Sequence, residues 1–251
     1  MIDIQPFDGQ QATDAEIDEY LELRSVVFAV DYPDLPAPTR SAALSRVRAP
    51  DPHLGERLFW VARLDGRLVA VTEVVLPDEP RAHLTEVQIH VHPDLRRRGI
   101  ATELAQSLAP MLRGRDRTLV QGRNVNIEGP SGKWARALGF RVVHATVFQI
   151  MDLGRVDPAI WDVAVPAGYR LVRWIGAAPD ELLESYAKAR SAIGDAPVGE
   201  ASVTPPDWSA DKTGLRQVWT ITGATNKHMI DVNRRLGFET TGSYGVVSRD
   251  L

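Results

Sequence analysis

Glu86, His90 and His92 fall at even spacing in Thr85-Glu86-Val87-Gln88-Ile89-His90-Val91-His92-Pro93, and Arg96, Arg97 and Arg98 follow directly. Alternation puts Val87, Ile89 and Val91 on one face of an expected strand and Glu86, Gln88, His90 and His92 on the other. A carboxylate and an imidazole on one strand face suit proton transfer, because an ordinary histidine titrates near neutrality. The same face offers a two-histidine, one-carboxylate ligand set, but no further ligand cluster accompanies it, and no metal is expected. After the proline, Asp94-Leu95-Arg96-Arg97-Arg98-Gly99-Ile100-Ala101 turns into a helix marked by Ile100, Leu104 and Leu108 at every fourth residue. A glycine turn at a helix start leaves backbone N–H groups unpaired where the helix dipole is positive. Such a turn cradles a phosphate, and the arginines strengthen it. It lacks the Gly-Lys-Ser/Thr ending of a P-loop and the Gly-x-Gly-x-x-Gly of a dinucleotide fold.

The elements that must hold this loop are readable around it. Residues 16–28 read as a helix and Leu68–Leu76 as a strand carrying Glu73, a second carboxylate. Thr118–Gln121 read as another strand, and Asn126–Phe140 as a helix ending in Leu138-Gly139-Phe140. Between the first helix and the strands lies Val30-Asp31-Tyr32-Pro33-Asp34-Leu35-Pro36-Ala37-Pro38. Asp31 and Asp34 there either attract a cationic amine or are solvated acids of a proline-stiffened loop.

Composition narrows the classes. The chain has 251 residues, 44% hydrophobic and 25% charged, which is ordinary for a globular protein of one large or two small domains. No apolar run is long enough to span a membrane, and the start lacks the charged and apolar segments of a signal peptide, so a cytoplasmic location is expected. Without cysteine there is no disulfide or thiolate nucleophile. Residues 94–123 hold seven arginines and three acids, while the rest carries 22 basic against 30 acidic side chains. One basic island in an acidic chain points to a single anionic ligand, not a nucleic-acid surface.

Arg96-x-x-Gly99-x-Ala101 after a strand resembles the acyl-CoA signature of the GNAT superfamily of N-acetyltransferases, and Leu138-Gly139-Phe140 resembles the end of that family's next helix. Together the motifs cover about residues 58–153. The resemblance implies an α/β fold with a mixed α+β sheet and acetyl-CoA or another acyl-CoA as co-substrate. It implies direct transfer to a primary amine, most simply of a small molecule. It assigns the coenzyme to Arg96, Arg97, Arg98, Gly99, Ile100 and Ala101, to main-chain groups of Ile89 and Val91, and to Asn126. Glu86 takes the place of the family's base, with Glu73 as rival and His90 as proton carrier or substrate contact. Asp31, Asp34 and Glu73 border the acceptor site. The usual tyrosine before Leu-Gly-Phe is Ala135 here. That departure bears on the acid for the leaving thiolate. It keeps open an acyl-CoA-binding scaffold or sensor, and an enzyme that takes its acyl group from aminoacyl-tRNA is the other alternative.

The chain also repeats itself. Arg136-Ala137-Leu138-Gly139-Phe140 matches Arg234-Arg235-Leu236-Gly237-Phe238, and Asp152-Leu153 matches Asp250-Leu251 at the same offset of 98. Ile2-Asp3-Ile4-Gln5-Pro6 pairs loosely with Tyr169-Arg170-Leu171-Val172-Arg173. This resembles a tandem acetyltransferase: a complete domain at 1–153, a linker at 154–167, and a truncated GNAT-like domain at 168–251 without central strands or phosphate loop. A homodimer stays open.

Overall fold

A computed structural model describes residues 2–33, 35, 37–48, 55–162, 164–172, 179–191 and 217–251. Asp34 and the expected Pro- and Gly-containing stretch at 195–214 lie outside the described residues. Two compact units divide the chain: residues 1–142 with 246–251, and residues 143–245. The division at 153 and 168 follows the sequence repeat. Compactness follows packing, and the two divisions are different partitions of the chain.

In the first unit, β1 (Ile2–Phe7), β2 (Glu56–Leu64), β3 (Arg67–Leu76) and β4 (Leu84–Val91) are antiparallel neighbours, and β5 (Leu119–Asn126) lies parallel to β4. Asp65 and Gly66 turn β2 into β3 with φ of 51° and 81°, the left-handed pair that a two-residue hairpin requires. Helix α1 (Asp14–Asp31) starts at a capping box in which Thr13 and Glu16 satisfy each other's backbone N–H groups. It packs with α2 (Arg40–Arg48) on one sheet face, where Ile17, Tyr20, Leu23 and Val27 meet Phe59, Val61 and Val71. Helix α3 (Ile100–Arg113) covers the other face. Its stripe Ile100, Leu104, Leu108 and Leu112 is at most 3% exposed and packs on Val69, Ala70, Val74, Leu76 and Val91.

The expected helix at 126–140 is shorter at both ends. Strand β5 runs on to Asn126, and α4 spans Pro130–Ala137, since Pro130 suits a first helical turn and Gly139 leaves it at φ 84°.

In the second unit, β6 (Arg141–Asp152) pairs antiparallel with β7 (Gln217–Gly223), in register from Thr146↔Gly223 to Asp152↔Gln217. This unit also holds α5 (Asp180–Ser191), α6 (Lys227–Arg235) and the start of β8 (Glu239–Asp250). Strand β8 lies 98 residues beyond β6 at both ends, so the sequence repeat is a repeat of strand, helix and strand. The proposed counterpart of β1 differs. Residues 169–172 form no strand, and Tyr169 and Leu171 are 78% and 86% exposed.

Candidate functional site

Strand β4 carries the site because its two edges and two faces have separate partners. Its register with β5 runs from Leu84↔Leu119 to Val87↔Gly122, four residues short of the end of either strand. On the β3 side, His92 donates its N–H to the Val69 carbonyl, so His90 and His92 face β3 with their main-chain groups. Ile89 and Val91, in alternate positions, therefore aim theirs toward β5, where the ladder has ended. The Val91 carbonyl already accepts from Arg96 Nε at 3.1 Å. Beyond the branch, Asn124 takes φ 54°, a left-handed kink in β5. Tyr32, the cap residue of α1, donates its hydroxyl to the Asn124 carbonyl at 2.9 Å.

At the end of β4, a short 3₁₀ turn (Pro93–Leu95) leads to the loop before α3. Arg97 and Gly99 both have positive φ, 65° and 83°. Nothing lies within 4 Å of where a Gly99 Cβ would be, so its requirement is conformational, not spatial. No side chain caps α3, which leaves its first N–H groups open to an anion. Arg97 and Arg98 are exposed and have no hydrogen-bond or ion-pair partner among the described residues.

Four other arginines of the basic island, 96, 115, 117 and 123, are committed within the protein. Arg96 grips both oxygens of Asp31 at 2.8 and 2.9 Å, closing a clamp between β4, the loop and the end of α1. Arg115 pairs with Glu56, Arg117 donates to the Pro77 and Leu84 carbonyls, and Arg123 holds Glu86. Of the predicted coenzyme arginines, Arg97 and Arg98 have no partner among the described residues, whereas Arg96 has Asp31. Asp31 is neutralised and so offers little attraction to a cationic amine. Asn126 caps the turn into α4 by accepting from the Gly129 N–H at 2.9 Å. Trp134 ties that helix to α3 by donating to the Thr102 hydroxyl.

Toward β4, the sheet face under α1 and α2 also carries buried polar groups. Glu73 is 6% exposed and its carboxylate meets Arg46 Nε at 2.7 Å and Arg57 Nε at 3.2 Å. Both oxygens of Glu86, 7% exposed, accept from Arg123 at 3.0 and 2.9 Å. His90 lies opposite Val71 on this face, and its Nε2 is buried with no hydrogen-bond partner. Burial pushes its pKa well below the ordinary value, and the positive fields of Arg24, Arg46 and Arg96 push the same way. His92 is turned to other work: it caps the 3₁₀ turn by accepting from the Asp94 N–H. No group of three or more metal-ligating side chains forms among the described residues.

Arg24, Arg123 and Tyr32 are absent from the sequence-derived set. Arg24 had a local signal: it sits four residues after Tyr20 and next to Leu23 of the buried stripe of α1. The other two had none, because their partners lie 37 and 92 residues away.

Residues 17–127 match the model of the acetyltransferase (GNAT) family. The chain is similar over its whole length to a tandem GNAT protein from the clavulanic acid biosynthesis pathway, solved without AcCoA. The identity is 25%, with 98% of that chain covered and a TM-score of 0.72. It shares its fold with a GCN5-related N-acetyltransferase from Sphaerobacter thermophilus, at 16% identity over 99% of this chain and 95% of the other, with a TM-score of 0.68. No curated protein matches the sequence. Residues 17–127 belong to the GNAT acetyltransferase family. Over its whole length the chain has the fold of a tandem GNAT protein. Among the described residues, no helix is long and apolar enough to cross a membrane.

Proposed function

We propose that the protein is an acyl-CoA-dependent N-acyltransferase, with acetyl-CoA as donor and a small primary amine as acceptor, working from the first repeat. The observation that carries this reading is the open α3 N-terminus beside the β4–β5 branch. The N–H groups of Ile100 and Ala101, backed by Arg97 and Arg98, suit a pyrophosphate. Main-chain groups of Ile89 and the N–H of Val91, beyond the end of the β4–β5 ladder, suit the amides of a pantetheine arm.

A bound acyl-CoA supplies an activated thioester. The amine's lone pair attacks its carbonyl carbon, the carbon–sulfur bond breaks, and the thiolate leaves and is protonated from water. The protein's share is to position the two reactants and accept the amine's proton. Both site carboxylates are occupied by guanidinium groups, so Glu73 and Glu86 act as fixed countercharges. His90 stays neutral, and with its proton on Nδ1 the unpartnered Nε2 offers a lone pair. We therefore assign proton acceptance to His90 and the support of this polar face to Glu86.

Titration calorimetry with acetyl-CoA tests the donor. Native protein should bind in the micromolar range, and an Arg97→Ala, Arg98→Ala double variant should bind at least tenfold more weakly (about 1.4 kcal/mol). Absence of binding to the native protein would refute the reading.

A further inference from the structure

At the branch it is β5 that turns away, not β4. The β3–β4 register runs from Val75↔Glu86 to Ala70↔Val91 without a shift, so β4 carries no bulge up to its end. Its ladder with β5 stops at Val87↔Gly122, and Asn124 then takes its left-handed φ of 54°. Asparagine tolerates that conformation, but the extended form would continue the ladder and pair the Ile89 and Val91 amides. The end of α1 holds β5 in the turned form. Tyr32 donates its hydroxyl to the Asn124 carbonyl at 2.9 Å, and its ring rests on Phe28 at a centroid distance of 4.9 Å. Asp31, the residue before it, accepts from both amino groups of Arg96 at 2.8 and 2.9 Å. Arg96 Nε in turn donates to the Val91 carbonyl at 3.1 Å. Two consecutive residues of one helix end therefore hold the two diverging strands separately: Tyr32 holds β5, and Asp31 holds β4 through Arg96.

We propose that the Asp31-Tyr32 end of α1 is a brace that keeps the branch open for the acyl-CoA arm, and that Tyr32 and Arg96 are positioning residues in it. This rests on the acyltransferase reading and adds how its coenzyme slot is held. It also moves Arg96 from the phosphates, where the resemblance put it, to the frame of the slot. Both amino groups and Nε of Arg96 are engaged by Asp31 and Val91, whereas Arg97 and Arg98 face solvent beside the α3 N-terminus.

Two variants of the full-length protein each break one strut. Tyr32→Phe removes a hydroxyl and keeps the ring; Asp31→Asn removes a negative charge and keeps the shape. Without coenzyme, Tyr32→Phe should let β5 straighten onto β4, so the Ile89 and Val91 amides should exchange with solvent about tenfold more slowly by NMR. Its acetyl-CoA affinity by titration calorimetry should fall about tenfold. Asp31→Asn separates a brace from a ligand. Coenzyme A is a polyanion, so losing an acid near it and releasing Arg96 raises affinity if Arg96 is a phosphate ligand. The brace requires a fall instead, again of about tenfold. Unchanged or faster exchange at Ile89 and Val91 in Tyr32→Phe overturns the proposal. So does acetyl-CoA affinity that is kept in either variant or rises in Asp31→Asn. Should the native protein bind no acetyl-CoA, the acyltransferase reading fails and the exchange rates alone decide whether α1 holds the branch open.

Discussion

Leu-Gly-Phe occurs twice, and its two copies make the same turn in different surroundings. In both, the phenylalanine N–H reaches back five residues (to Ala135 and Asn233), and the glycine N–H reaches back three (to Arg136 and Arg234). Gly139 and Gly237 have φ of 84° and 94°. One turn earlier the copies part. Ala135 is 2% exposed and purely apolar, while Asn233, 7% exposed, donates to Gln149 at 2.8 Å and to Thr222 at 3.3 Å. Gln149 belongs to β6, a strand of the first repeat, yet it packs in the unit of the second. In the first unit, Val246 and Val247 of β8 are buried, the Leu251 N–H donates to Thr118, and Arg249 donates to the Leu138 carbonyl. Each repeat's helix is therefore completed by the other repeat's last strand. Sequence similarity counts copies of a gene segment; stability counts which strand fills which core.

The sharpest way to break this exchange is to remove residues 246–251. We expect the first unit to lose hydrogen-exchange protection in β5 and α4 and the protein to lose acetyl-CoA binding, while β6 and β7 keep their protection. Protection lost equally in β7 would refute the division.

Paired alanine substitutions at the two glycines compare the turns directly. Gly139→Ala meets only Arg249 Nε at 4.0 Å and should cost about 1–2 kcal/mol for its left-handed backbone. Gly237→Ala would also press on Val156 Cγ2, 2.7 Å away, and should cost about 1–3 kcal/mol more. Denaturant unfolding of both variants ranks them. An effect between those two is expected of Asn233→Ala, about 2 kcal/mol, because it leaves Gln149 and Thr222 buried with fewer partners. Ala135→Gly, lacking any such network, is its reference.

The smallest difference is in pH response. His90 has a folded pKa below its ordinary 6.5, so folding favours the neutral ring. Its contribution is full above about pH 6.5 and is lost as the pH falls toward the folded value. His90→Gln should flatten the stability profile of the first unit between pH 7.5 and 5, and no histidine change in the second unit should do so.

What could be read from the sequence was local. The loop from Arg96 to Ala101, the stripe of α3 and the alternation of β4 each depend on neighbours within a few residues, and the structure has them as the pattern requires. The start of α4 differs from the periodicity because Gly129-Pro130 holds the helix back to Pro130 while β5 runs on to Asn126. The partners of Arg96, Glu86 and Glu73 could not be read, because each pair closes only when the sheet forms; Asp31 and Arg96 are 65 residues apart. Thus the residue types of the site were legible, but their state of charge compensation was not.

The strand exchange also sets an order in time. Every residue of the candidate site lies before position 143, so the site leaves the ribosome early. The strand that completes its unit is synthesised more than a hundred residues later. During translation, β5 waits with an open edge, and full assembly of the first unit is a late event governed by the last residues of the second repeat.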